Sequence, residues 1–127
     1  MKKWLVILAV LTMQTQAFAI VNHDIEAGNI VQLISHTSQY ARITGTVSNV
    51  DISDKFNAIS LNFGKNFNTS LSAVIYNDVI QAFASAGIID PAKYFADKTV
   101  VLEGIIRILN GKPQIIIDFP SQIKIIN

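Results

Sequence analysis

Three lysines and two phenylalanines fall at polar turns in this sequence, and their spacing is suited to binding chemistry. Lys55 and Phe56 adjoin in DISDKFN, Lys65 and Phe67 share KNFNT, and Lys112 follows Asn110-Gly111. A cation beside an exposed ring suits a backbone phosphate with a stacked base, or a sugar ring. The structural alternative is that Phe56 and Phe67 fold inward and close the ends of the domain while the lysines hydrate the loops. Catalytic chemistry has less to build on. Ser, His and Asp all occur, but no nucleophile elbow brings them together. His23 and His36, with Asp24 and Glu26 in HDIE, offer too few regularly spaced ligands for a metal, and there is no cysteine to add. The six glycines are scattered singly, with no phosphate-cradling loop among them. The sequence therefore predicts no catalytic residues, no metal and no cofactor.

The first residues read as an export signal. Lys2 and Lys3 form a basic start, Trp4 to Leu11 an apolar run, and Ala17-Phe18-Ala19 a small-residue cleavage site. The apolar run is shorter than the roughly 20 residues that a spanning helix needs. Cleavage after Ala19 would give a soluble periplasmic or extracellular protein beginning at Ile20. The chain has ten basic and nine acidic residues; removing Lys2 and Lys3 leaves eight against nine, a formal charge of −1. That balance lacks the basic excess of a non-specific nucleic-acid binder. The absence of cysteine rules out both disulfides and a lipid-modified cysteine, so stability must come from packing.

Hydrophobic periodicity sets the elements that carry the loops. Residues 20–39 read as an N-terminal extension, in which Ile30 to Ile34 fit a short strand or one turn of amphipathic helix. Tyr40 to Val50 alternates with period two, with Ile43, Gly45 and Val47 on one face, and predicts a strand bent at Gly45. Residues 51–57 read as a loop. Ala58 to Gly64 and Ser70 to Tyr76 alternate again and form a hairpin around the Lys65 tip. The period then lengthens. Asn77 or Asp78 caps a helix with Val79, Ile80, Phe83 and Ala84 at helical spacing, closed by Gly87. Thr99 to Leu109 and Pro113 to Phe119 are strands around Asn110-Gly111, the strongest short hairpin signal in the chain. On the fourth strand Glu103 and Arg107 share a face and read as surface ion-pair residues, with each other or with neighbours.

Strand, strand, strand, helix, strand, strand is the order of the OB-fold, a five-stranded Greek-key barrel with its helix between strands three and four. The segments TGTVSNV, ISLNFG, SAVIY and KTVVLEGIIRILNGKPQIIIDFPSQIKI resemble the small exported OB-fold proteins of bacteria, over Ile43 to Ile126. The resemblance implies an all-β domain with one helix over residues 40–127, of nucleic-acid-binding-like type. The ligand is then expected on the outer face of strands two and three and the adjoining loops. That face and its loops hold Lys55, Phe56, Asn62, Lys65, Phe67, Tyr76, Arg107 and Lys112. Single-stranded nucleic acid and an oligosaccharide are the two expected ligands. Nucleases of the same barrel class cluster acids and arginines around a metal, whereas this chain has only Arg42 and Arg107. A competing expectation is an envelope interaction module, with PQIIIDF as an apolar edge strand that pairs with another protein or a second copy.

Overall fold

Alternation from Tyr40 onward becomes a β-ladder whose apolar side faces inward. A computed structural model describes residues 24–65 and 70–127. The export signal, His23 and Phe67 lie outside the described residues. Strand β2 (Tyr40–Thr46) turns Ala41 and Ile43 into the core and pairs antiparallel with β6 (Thr99–Ile105) over seven register pairs. β1 (Ile25–Glu26) lies parallel to β2, and β9 (Ile123–Ile125) lies antiparallel to β6, giving a sheet of order β1-β2-β6-β9. A second sheet has the order β3-β4-β5-β8-β7. Its strands are β3 (Asn49–Ser53), β4 (Ala58–Asn62), β5 (Ser72–Tyr76), β7 (Arg107–Leu109) and β8 (Lys112–Ile116).

The fold is thus mostly β, arranged as two sheets rather than the single closed barrel expected. The long strands expected at 40–50 and 99–109 are each broken where the chain passes from one sheet to the other. Between β2 and β3, the Val47 N–H donates to the Lys98 carbonyl and the Ser48 N–H to the Asn62 carbonyl. Between β6 and β7, Ile106 exchanges backbone hydrogen bonds with Ser38 and Gln39, off the end of the ladder. Asp51 to Ser53, read as loop, are strand: they pair with Ser60 to Ala58, and the turn shrinks to residues 54–57. A polar strand at a sheet edge carries no alternation signal and is indistinguishable from a loop by period.

The helical segments seal the ends. α1 (Ile30–Ser35) is capped by the Asn29 side chain, which accepts from the Gln32 N–H at 3.2 Å. α2 (Asn77–Ser85) starts directly from β5 with Tyr76 at its N-cap, so neither Asn77 nor Asp78 caps it by a side chain. Gly87 takes a positive φ of 91° beyond its end. Val79 and Ile80 lean on the core and Phe83 is fully buried, whereas Ala84 is exposed. α3 (Pro91–Phe95) adds Phe95, edge-on to Phe83 with ring centroids 5.9 Å apart. Residues 24–39 are not an appendage. Ile25, Ala27 and Leu33 belong to the same core as Ile43, Leu61, Ile75, Leu102 and Ile115.

Gly45 is explained by that N-terminal segment. A Cβ there would stand 2.6 Å from the Ala27 Cβ and 3.1 Å from Phe63 Cδ1. Backbone approach at the β1–β2 junction therefore requires the glycine. Gly45→Ala should cost about 1–3 kcal/mol, read as a lower urea midpoint at unchanged m-value. An unchanged midpoint would show that the β1 turn yields freely and is not part of the cooperative core.

Candidate binding face

The turn between β3 and β4 presents the first pair of expected site residues. The Ser53 hydroxyl accepts from the Phe56 N–H at 3.3 Å, and Asn57 closes the turn with φ of 48°. This geometry sends Phe56 outward, 66% exposed, with the Lys55 ammonium 5.3 Å from its ring centroid. Phe56 does not plug the domain. The pair is a cation–π contact open to water. Lys65 is exposed at the far end of β4, and Tyr76 is exposed where β5 runs into α2.

Cross-strand register defines the face between these loops. One row runs Asn49, Asn62, Ser72, Gln114, Arg107, and the next Asp51, Ser60, Val74, Ile116. Asn62 was expected as a contact residue, but it is only 1% exposed. Its Nδ2 donates to Asp51 Oδ2 at 3.0 Å, and its Oδ1 accepts from the Ser72 hydroxyl. Asn62 is therefore a buried cross-strand tie. Both buried polar side chains of the tie are satisfied, as burial requires. Lys112 follows the two-residue turn in which Asn110 and Gly111 both have positive φ, as a type I′ hairpin demands. Partial loss of water pushes the Lys112 ammonium below its ordinary pKa, against the opposing pull of the Asp51 carboxylate. The face thus carries Lys112 and Arg107 toward one end and Lys55 with Phe56 toward the other.

Glu103 does not pair with Arg107, because the break at Ile106 separates them. It faces Arg42 across the β2–β6 ladder instead, with Nη1 to Oε1 at 3.0 Å, while Arg42 Nε reaches Asp24 at 3.1 Å. The Tyr40 hydroxyl donates to Glu103 at 2.9 Å, and this bond to the carboxylate raises the phenol's pKa. His36 is tied through Nδ1 to the Gln32 carbonyl at 2.8 Å. Among the described residues no three His, Asp or Glu side chains gather as metal ligands. No helix among them is long and apolar enough to cross a membrane.

A second feature escaped the sequence reading. Tyr40, Ile105, Arg107, Ile116, Asp118 and Phe119 line a cleft of about 290 Å³ between the β6–β7 corner and the chain leaving β8. Phe119 is 65% and Tyr40 67% exposed. Gln122 fixes this corner from the short 3-10 turn Pro120–Gln122. Its Oε1 accepts from the N–H groups of Asp118 and Phe119, and its Nε2 donates to the carbonyls of Glu103 and Ile116. Only Pro120 marks a turn here in the sequence, and β8 already ends at Ile116, short of the Phe119 expected.

No family model matches the sequence, and no curated protein matches it. Solved structures do match in fold. The OBody AM2EP06 bound to hen egg-white lysozyme aligns with a TM-score of 0.53 at 14% identity, covering 86% of this chain and 98% of that one. Asparaginyl-tRNA synthetase from Pyrococcus horikoshii also aligns at 0.53 and 14%, over 84% of this chain. There the match spans only 24% of the synthetase. At such identities the likeness shows the fold alone, and that fold is of OB type.

The buried tie gives a direct test. Ser72→Ala removes one donor and leaves the Asn62 Oδ1 without it, with an expected loss of about 1–3 kcal/mol in chemical denaturation. Asp51→Asn should cost less, since Asp51 is exposed to water. Equal and negligible effects would mean that the tie is not held in solution.

Proposed function

We propose that this chain is an exported, non-catalytic binding module that holds single-stranded nucleic acid across the outer face of the β3-β4-β5-β8-β7 sheet. Counting β2 with β3 and β6 with β7 as single bent strands gives the five-stranded Greek-key reading, with α2 between the third and fourth. The parallel β5–β8 pairing and the antiparallel β2–β6 pairing support it. The observation that carries the ligand reading is the exposed Phe56 ring with Lys55 beside it. A ring open to solvent can stack on any base, and the neighbouring cation can meet the phosphate. Lys65, Arg107 and Lys112 extend positive charge along the loops. An oligosaccharide remains the alternative ligand for the same loops.

A protein partner is the second reading, with a changed location. PQIIIDF cannot be the free edge, because its strand β8 lies between β5 and β7. The edge next to it is β7, whose three residues Arg107, Ile108 and Leu109 are all exposed. An OBody of the same fold is bound to lysozyme, which is consistent with a protein-binding use of such a scaffold.

Fluorescence anisotropy of labelled single-stranded DNA and RNA with the purified protein, at low and physiological salt, separates these readings. Binding should weaken with salt, and Phe56→Ala should weaken it about tenfold. No binding at either salt sinks the nucleic-acid reading. Binding lost in Ile108→Lys but kept in Phe56→Ala would move the site to the β7 edge. Export rests on the basic and apolar N-terminal residues, and intact mass of the protein recovered outside the cytoplasm should begin at Ile20. Accumulation of the unprocessed chain inside the cell would contradict it.

A further inference from the structure

We infer that the cleft between Tyr40 and Phe119, which borders the sheet face at Arg107 and Ile116, is a second binding site, for an uncharged pyranose ring of an oligosaccharide. The inference does not rest on the loop-face reading, and nothing in it uses Lys55 or Phe56. Single exposed rings are ordinary, but here two line one cleft together with Ile105, itself 47% exposed, and so form a contiguous patch. Both are held in place. The Tyr40 hydroxyl is fixed on Glu103, which Arg42 pins in turn. The backbone of Phe119 is fixed by the Gln122 amide, which bridges four backbone groups on three segments. A ring anchored at its far end, as Tyr40 is, stacks on a ligand with little further ordering cost, and the fixed backbone at Phe119 limits where its ring can go.

The other groups select the ligand class. Ile105 and Ile116 give an apolar wall, and Gly104 lies beside them where a Cβ would stand 2.9 Å from Ile115 Cγ2 and 3.1 Å from Gln122 Nε2. Arg107 and Asp118, of opposite charge, line the same cleft. Neither has an ion-pair partner within 4 Å among the described residues. A pyranose has an apolar face for the rings and an equatorial belt of hydroxyls. Its hydroxyls can donate to the Asp118 carboxylate and accept from the Arg107 guanidinium. A phosphodiester suits the cleft poorly, because the one cation lining it is balanced by a carboxylate and Glu103 stands behind Tyr40. The volume of about 290 Å³ is at the small end for ligand pockets and fits one ring, with the cleft open for the chain to continue.

The test is a two-dimensional amide NMR titration of the purified protein with cellotetraose, with an N-acetylglucosamine trimer, and with a thymidine oligonucleotide. At least one sugar should produce saturable shifts at Tyr40, Ile105, Arg107 and Phe119. Phe119→Ala should weaken that binding about five- to tenfold, whereas Phe119→Trp should retain it. Phe119 is exposed, so both variants should keep the dispersed spectrum of the folded protein. Phe56→Ala should leave sugar binding unchanged, which separates failure here from failure of the loop face. Absence of shifts with both sugars overturns the proposal. So do shifts at Tyr40 and Phe119 with the oligonucleotide alone, or sugar binding indifferent to Phe119→Ala in a folded variant.

Discussion

The β2–β6 ladder is the constraint on which the rest of the structure depends. Its pairs run from Tyr40 with Ile105 to Thr46 with Thr99. Beyond Thr46 the chain crosses into the second sheet as β3, and beyond Ile105 it crosses as β7. One ladder therefore fixes how both sheets lie and where their two corners fall. Inward, it delivers Ile43, Val100 and Leu102 to the core. Outward, it sets Arg42 opposite Glu103 and Tyr40 opposite Ile105. The ion pair is exposed and screened, so it contributes little stability. What it contributes is direction, because Glu103 is thereby held where the Tyr40 hydroxyl can reach it.

The second sheet solves a different problem. On its outer face Asn62 and Ser72 are each only 1% exposed, so their polar groups are cut off from water. A buried amide without partners would cost about 1–3 kcal/mol. Asn62 meets this by spanning from Asp51 on β3 to Ser72 on β5, two strands apart in sheet order. The tie also discourages a register slip, because moving β4 by one residue would turn Asn62 into the core. A residue that looks like a ligand donor by type is thus consumed by the architecture.

Sequence alone makes the repetitive parts legible. Alternation in ISLNF and SAVIY, the lengthened period after Asn77 and the Asn110-Gly111 turn all report local preferences that the fold keeps. The corners were not legible. Nothing in Val47-Ser48 or at Ile106 marks a break, because the cause is a hydrogen bond to residues far along the chain, Lys98 and Gln39. Asp51 to Ser53 join a ladder only because β4 supplies partners. The cleft is hidden for the same reason: Tyr40, Arg107 and Phe119 come together through pairings that no local window contains. Lys55-Phe56 was legible, because a short polar turn leaves adjacent side chains few places to go.

Rigidity without disulfides explains how exposed rings persist in so small a chain. There is no cysteine, and conformational freedom is restrained by packing and by bridging polar side chains. Gln122 is the clearest case. A flipped amide would set like groups against each other at its backbone contacts, so its orientation is determined by the network. Through it β6, the end of β8 and the Phe119 turn become one unit, with β9 continuing from that unit back onto β6. Phe56 has no such support, since only the Ser53 hydroxyl fixes its backbone and Lys55 merely covers its ring. The two exposed aromatic sites therefore differ in kind. If the two proposals hold, the loop ring would adapt to a flexible strand, whereas the cleft, with Tyr40 anchored, would meet one rigid ring.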